Sequence, residues 1–231
     1  TVISQHCFDD IKAVKSVLAS AELLVRLNPT YEFSREEIES AIQKGADIIM
    51  LPMCRTINEI KAYGELIGGR AKFIPLVETI AASKIVKEIC ELDCVDEIHI
   101  GLNDLHLEFG LSFMFELIAN GYVDDMVKGC TKPFGVGGIA RVGQGEVPGE
   151  MVMSQHVRLK SSAVILSRAF HLRSISLKEL MEKIDLVAEI RKLEIVRKQF
   201  EELSGSLHDD MFKKFVHTVN AVVVRKNEKI V

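Results

Sequence analysis

Two carboxylates and one guanidinium stand where the sequence could do chemistry. Glu78 closes the apolar run Phe73–Thr79 (FIPLVET), and Asp104 follows the run Glu97–Leu102 (EIHIGL). An acid at the end of a strongly apolar strand is unusual, because a buried carboxylate needs a partner. The interval between the two is one strand–helix unit, so both should project from neighbouring strand ends onto the same face. Carboxylates that close repel each other unless a cation or a proton lies between them. Mg²⁺ or Mn²⁺ suits such an all-oxygen site, since it keeps several waters and leaves positions for a substrate. The alternative is that each acid caps a helix or pairs with a lysine. Arg26 lies within a third apolar run, Leu23–Asn28 (LLVRLN). Desolvating its charge unpaired is costly, so it is expected to meet an anion, either a substrate carboxylate or enolate oxygen or an acid of the protein itself.

The elements that must position these groups are legible as alternating short strands and amphipathic helices. Besides the three runs above, Asp47–Met53 (DIIMLPM), Pro133–Gly138 (PFGVGG) and Ala163–Arg168 (AVILSR) read as strands. They are nearly continuous apolar stretches, as in parallel strands covered on both faces. Ser34–Glu37 and Thr56–Glu59 match the capping box, and Gly45, Gly68 and Gly69 punctuate helix ends. Six successive βα units mean an α/β fold with a parallel sheet. No Rossmann fingerprint opens the first unit, and polar residues gather at several strand ends, which favours a (β/α) TIM-type barrel over a doubly wound sheet. An eight-stranded barrel would need two more strands upstream of Thr1, where the sequence opens without Met; the alternatives are a lost segment or an open barrel.

Residues 1–172 are therefore expected to form the barrel, and 173–231 a C-terminal helical extension. In that tail Ser176 should cap one long helix through about Leu203, with apolar residues every three or four positions. Ser204-Gly205-Ser206 breaks it before a second helix from about Asp209 to Val224. This hairpin is longer than a barrel helix needs, and it is expected to build a homo-oligomer.

Composition narrows the function classes. The chain has 231 residues, 48% of them apolar, and a net charge of −4. Acids and bases are interspersed, so there is no electrostatic case for a nucleic acid or an anionic membrane as partner. No run approaches a membrane span and no signal peptide opens the chain. Five scattered cysteines, Cys7, Cys54, Cys90, Cys94 and Cys130, suggest reduced, buried thiols in a cytoplasmic protein.

Taken in order, Arg26 in VRLN, the strand GADIIMLPM, Val77-Glu78-Thr79 after IPL, and Gly101-Leu102-Asn103-Asp104-Leu105 followed by Phe109-Gly110 resemble one family. It is the HpcH/HpaI aldolase and citrate lyase β-subunit family, of the phosphoenolpyruvate/pyruvate-binding barrel superfamily, and the resemblance covers roughly residues 22–170. It implies that Glu78 and Asp104 bind a divalent cation and that Arg26 contacts substrate oxygens. It also implies that backbone amides of Gly101, Leu102, Asn103 and Asp104 receive the substrate carboxylate. The chain departs from the family in several places. Met53 follows Pro52 where a lysine is frequent, and Leu76 stands where aldolases carry a glutamine. Asn103 replaces a residue that is more often small or acidic, Arg168 ends the last strand in place of an acid, and no base histidine occupies an earlier strand.

The glycine-rich stretch Gly135–Gly145 contains a GxGxxA match, but further glycines follow where a dinucleotide-binding helix should open. It is expected to be a mobile loop over the barrel mouth, offering Arg141 to an anionic substrate group. His99 and His106 could serve as acid or base, although structural roles are commoner for buried histidines. The resulting expectation is a Mg²⁺- or Mn²⁺-dependent carbon–carbon lyase acting on a small carboxylate substrate, a 2-keto acid or acyl-CoA-type compound, through a metal-stabilised enolate. Its rivals are phosphoenolpyruvate-type phosphoryl chemistry, with Arg141 or Arg168 holding phosphate, and a catalytically weak barrel kept for binding or assembly.

Overall fold

The computed structural model describes residues 6–174 and 176–228, so the opening Thr1–Gln5 lies outside the described residues. The chain divides into two compact units, residues 1–108 with 126–134, and residues 109–125 with 135–231. The boundary expected at 172/173 is not where it divides.

The first unit carries α1 (Phe8–Lys15), β1 (Leu24–Arg26), α2 (Ser34–Gln43), β2 (Ile48–Leu51), α3 (Ile57–Ile67), β3 (Lys72–Val77), α4 (Ile80–Ser83), α5 (Val86–Cys90), β4 (Ile98–Ile100) and α6 (Leu102–Glu108). Each strand pairs in parallel with the next, with Arg26 opposite Met50, Met50 opposite Ile74, and Leu76 opposite His99. Because side chains alternate along a strand, one face gathers Ile48, Met50, Ile74 and Leu76 in a cluster. Phe73, on the opposite face, is fully buried and stacks on Tyr63 of α3 with ring centroids 5.6 Å apart. Both faces of β2, β3 and β4 are largely covered, as their unbroken apolar runs suggest, whereas Leu24 and Arg26 of β1 are exposed.

Local signals explain the helix ends, with one exception. Thr56 accepts the Glu59 N–H through its hydroxyl at the start of α3, the hydroxyl half of a capping box, while the Glu59 carboxylate accepts the Arg55 N–H at 2.8 Å, and Gly68 closes that helix in the left-handed conformation at φ +60°. The Ser34–Glu37 pair does something else. Ser34 lies inside the first turn of α2 and its hydroxyl accepts the Tyr31 N–H at 2.9 Å. The buried Glu37 instead accepts from the backbone N–H of Asn28 at 3.2 Å and from its side-chain amide at 2.5 Å. The glutamate that pattern alone would spend on capping therefore anchors the segment that follows β1.

The reduced-thiol expectation fails for two cysteines. Cys90, at the end of α5, is disulfide-bonded to Cys130, with Cα atoms 5.6 Å apart; Cys7, Cys54 and Cys94 are free. Closing a loop of this length removes denatured-state entropy equivalent to about 4 kcal/mol in the chain-entropy picture. The helix α5 ends at Cys90, so Cys94 lies beyond it.

The second unit contains α7 (Glu116–Ala119), most of α8 (Tyr122–Val127) and of β5 (Phe134–Ile139), within each of which a boundary falls, α9 (Gly149–Leu159), β6 (Ala163–Leu166), α10 (Leu177–Lys183), α11 (Leu186–Glu201) and α12 (Gly205–Glu228). β5 and β6 pair in parallel. All six strands expected from the sequence are present. The tail is neither a hairpin nor a separate domain: Ile184 adopts an extended conformation and the Asp185 carboxylate accepts the Ala188 N–H, so the expected long helix is two. A side chain that caps a new helix competes with continuing the old one. α11 and α12 pack on α9. Arg158 of α9 fastens this arrangement, pairing through two nitrogens with Asp124, donating to Gln155 at 2.7 Å and lying 4.3 Å from the Phe212 ring centre. Among the described residues, no helix is long and apolar enough to cross a membrane.

The thiol pattern gives a direct check. Titration of the denatured, unreduced chain should count three thiols from the free cysteines, rising to the full five after reduction. Five before reduction would mean that Cys90 and Cys130 are not bridged.

Candidate active site

Glu78 follows the last residue of β3 and is only 5% exposed. Three features of the chain hold it there. The N–H of Met53, just past β2, donates to Glu78 Oε1 at 3.0 Å. The neighbouring Thr79 hydroxyl donates to the Cys54 carbonyl at 2.8 Å and accepts the Ala82 N–H at 3.1 Å, so it caps α4 while tying the end of β3 to the segment after β2. Gly101, after β4, supplies room: a Cβ there would come 2.7 Å from the Glu78 Cβ and 3.1 Å from Oε2. Only a residue without a side chain lets the carboxylate lie across that strand end.

Asp104 sits in the first turn of α6, within hydrogen-bonding reach of the Glu78 carboxylate. The consequence shows in Glu78's proton affinity. Burial pushes its pKa up to about 7; the Met53 N–H opposes the rise, the Asp104 charge adds to it, and the Arg26 charge works against it. Arg26 ends β1 and its side chain is exposed, so the desolvation expected from its apolar strand does not arise. Its charge nonetheless acts on Glu78. Glu78 and Asp104 thus meet from neighbouring βα units, and the Arg26 charge reaches Glu78 from a third, all within the first unit of the chain.

Two oxygens that compete for one proton fit a small divalent cation, which would relieve both the repulsion and the burial penalty. Among the described residues, no group of three or more His, Cys, Asp or Glu is placed to hold a metal. A cation at this pair would complete its shell with water and substrate oxygens, which suits Mg²⁺ or Mn²⁺.

The other expected groups divide. Gly101 N–H donates to the Val77 carbonyl at 2.9 Å, so this amide is already engaged in the sheet and is not a substrate donor; the role of Gly101 is to make room for Glu78. Leu102, Asn103 and Asp104 form the first turn of α6, where backbone amides have no acceptor within the helix. Leu102 has a buried side chain and Asn103 an exposed one. His106 is buried, with Nδ1 3.2 Å from the Leu102 carbonyl, which is a structural role. His99 is also buried, on the strand face it shares with Leu76.

Arg141 belongs to the second unit. The turn that carries it is packed rather than loose. The Arg141 carbonyl accepts the N–H groups of Gln144 and Gly149, and Gly143 N–H donates to Glu150 at 2.7 Å. A Cβ on Gly149 would meet the Ala140 carbonyl at 2.3 Å. The expected mobile loop is therefore a close turn into α9.

The sequence reading missed Met53 and Glu37. Met53 has a left-handed backbone, φ +54°, which pattern cannot show in a residue that is neither Gly nor Asn. Glu37 was hidden by its match to a capping box.

Six parallel strands alternating with helices make an α/β fold consistent with part of a TIM-type barrel. Its particular likeness is to a HpcH/HpaI aldolase/citrate lyase family protein from Burkholderia cenocepacia J2315: TM-score 0.57 and 16% identity, covering 83% of this chain and 81% of that one. A variant of the citrate synthase SbnG aligns with TM-score 0.45 and 14% identity over 57% of this chain, which spans 61% of that protein's length. No family model matches the sequence, and no curated protein matches it.

The raised pKa has a measurable effect on stability. Between the ordinary value of 4.5 and about 7, the unfolded chain has released the Glu78 proton while the folded chain retains it. Folding in the absence of divalent cations should therefore weaken as pH rises through that window, by on the order of 3 kcal/mol. Urea unfolding at pH 5 and pH 8, in wild type and Glu78→Gln, measures the difference. The slope attributable to Glu78 should be absent from the variant, and equal slopes in both would contradict the assignment.

Proposed function

We propose that this chain is a divalent-metal-dependent carbon–carbon lyase of the aldolase/citrate lyase type, acting on a 2-keto acid or an acyl-CoA-type substrate. The fold reading that goes with it is a (β/α) barrel of which this chain supplies six strands. The observation that carries the proposal is the meeting of Glu78 and Asp104, with the Arg26 charge acting on the same carboxylate.

Glu78 and Asp104 would hold Mg²⁺ or Mn²⁺, which when bound acts as a Lewis acid toward the carboxylate and keto oxygens of a substrate. Met53 N–H, Thr79 and Gly101 fix the Glu78 carboxylate before substrate arrives, so little reorganisation is needed at the moment of reaction. Arg26 places fixed positive charge where negative charge develops on substrate oxygen, and its exposure leaves the guanidinium accessible. Backbone amides of the first turn of α6, from Leu102 to Asp104, lack acceptors within the helix and would receive the substrate carboxylate.

Calorimetric titration with Mg²⁺, then with pyruvate in its presence, tests this reading. Mg²⁺ should bind, and pyruvate should bind at least about tenfold more tightly with Mg²⁺ than without. Glu78→Ala should abolish both effects. Arg26→Ala should leave Mg²⁺ binding in place and lower kcat for cleavage of a 2-keto acid by about 100-fold. Failure of the wild type to bind Mg²⁺ or Mn²⁺ would overturn the proposal.

A further inference from the structure

Glu108 ends α6 one helical turn beyond Asp104, so the two acids stand on the same face of that helix. Asp104 reaches the Glu78 carboxylate, while Glu108 Oε2 accepts the N–H of Ile80, two residues after Glu78, at 2.5 Å. The other carboxylate oxygen, Oε1, accepts from the Arg55 guanidinium at 3.1 Å. Arg55 follows Cys54 in the segment past β2, and its own N–H donates to Glu59 of α3. One carboxylate on α6 therefore joins the chain past β3 to the chain past β2.

The acid pair needs such a join. With seven residues, α6 is too short to keep its place by helix propensity, so tertiary contacts decide where Asp104 sits. Repulsion between Asp104 and Glu78 pushes α6 away from the end of β3 when no cation lies between them. The Glu108–Ile80 bond opposes that push. Its acceptor is ionised, which makes it stronger than an amide–carbonyl bond, and it links the helix that carries Asp104 to the segment that carries Glu78.

We propose that Glu108 is a positioning residue: by accepting the Ile80 N–H it holds Asp104 at the separation from Glu78 that a divalent cation requires. The proposal rests on the metal-dependent lyase reading above and adds to it a residue that acts through Asp104. Arg55 steadies Glu108 from the other side, with a smaller effect because that ion pair is open to solvent.

Calorimetric titration of the full chain with Mg²⁺ tests this, since the stoichiometry counts folded sites and the affinity reports how well each one is made. Glu108→Ala should weaken Mg²⁺ binding about tenfold. Glu108→Gln keeps an oxygen for the Ile80 N–H and should stay within about threefold of wild type. Ile80→Pro removes the donor at the first position of α4, where proline is tolerated, and should match the loss in Glu108→Ala. Combining the two changes should weaken binding no further than either alone, because both break one bond. A merely structural role would lower the stoichiometry and leave the affinity unchanged. Wild-type binding with Glu108→Ala within about twofold of it, or additive losses from Glu108→Ala and Ile80→Pro, would overturn the role of Glu108 and leave the lyase reading intact. Absence of Mg²⁺ binding by the wild type would overturn that reading, and this inference with it.

Discussion

The structure of the first unit turns on a carboxylate that is costly to bury. Glu78 sits almost out of solvent, within hydrogen-bonding reach of a second acid, and its proton affinity rises accordingly. A protein gains nothing in stability by placing two acids together at a strand end, since apolar residues there would avoid the desolvation and the repulsion. Sites that give up stability in this way are commonly functional, because a shifted proton affinity or a waiting cation position is what chemistry uses.

Much of the surrounding sequence follows from that constraint. The missing side chain at Gly101 makes space for the carboxylate, and the left-handed turn at Met53 brings an N–H to it. Thr79 links the segment after β2 to the start of α4, so the two strand ends that frame Glu78 hold a fixed spacing. Cys54 adds to this: its buried thiol, pushed up to about 12 chiefly by burial, stays protonated and lies 3.5 Å from the Leu76 carbonyl as a donor. Met53, Cys54, Thr79 and Gly101 lie one to three positions past their strands, where a parallel sheet presents its carboxyl ends.

All six strands appear where the apolar runs lie; burial on both faces accounts for the runs of the central strands, whereas β1 and β6 keep apolar runs although part of each is exposed. Glu78 and Asp104 were legible for the complementary reason, as acids that break the rule at strand ends. What pattern could not supply was competition among polar partners. Glu37 matches a capping box, yet Asn28 offers it two donors and takes it instead. Asp185 resembles any solvent-facing acid of a long helix, but it caps a new helix and splits the tail in two. Cys90 and Cys130 are far apart in sequence and carry no local signal of pairing. The expected donor role of Gly101 failed because its amide is engaged by Val77, a fact of sheet register that spacing does not reveal.

Crystals grown in Mn²⁺ and measured at the manganese absorption edge would test the central claim most directly, since they would locate any cation relative to the two acids. The account predicts an anomalous peak between Glu78 and Asp104, within roughly 2.0–2.3 Å of an oxygen from each carboxylate. A structure with no peak there, or with the two carboxylates turned away from each other, would contradict it.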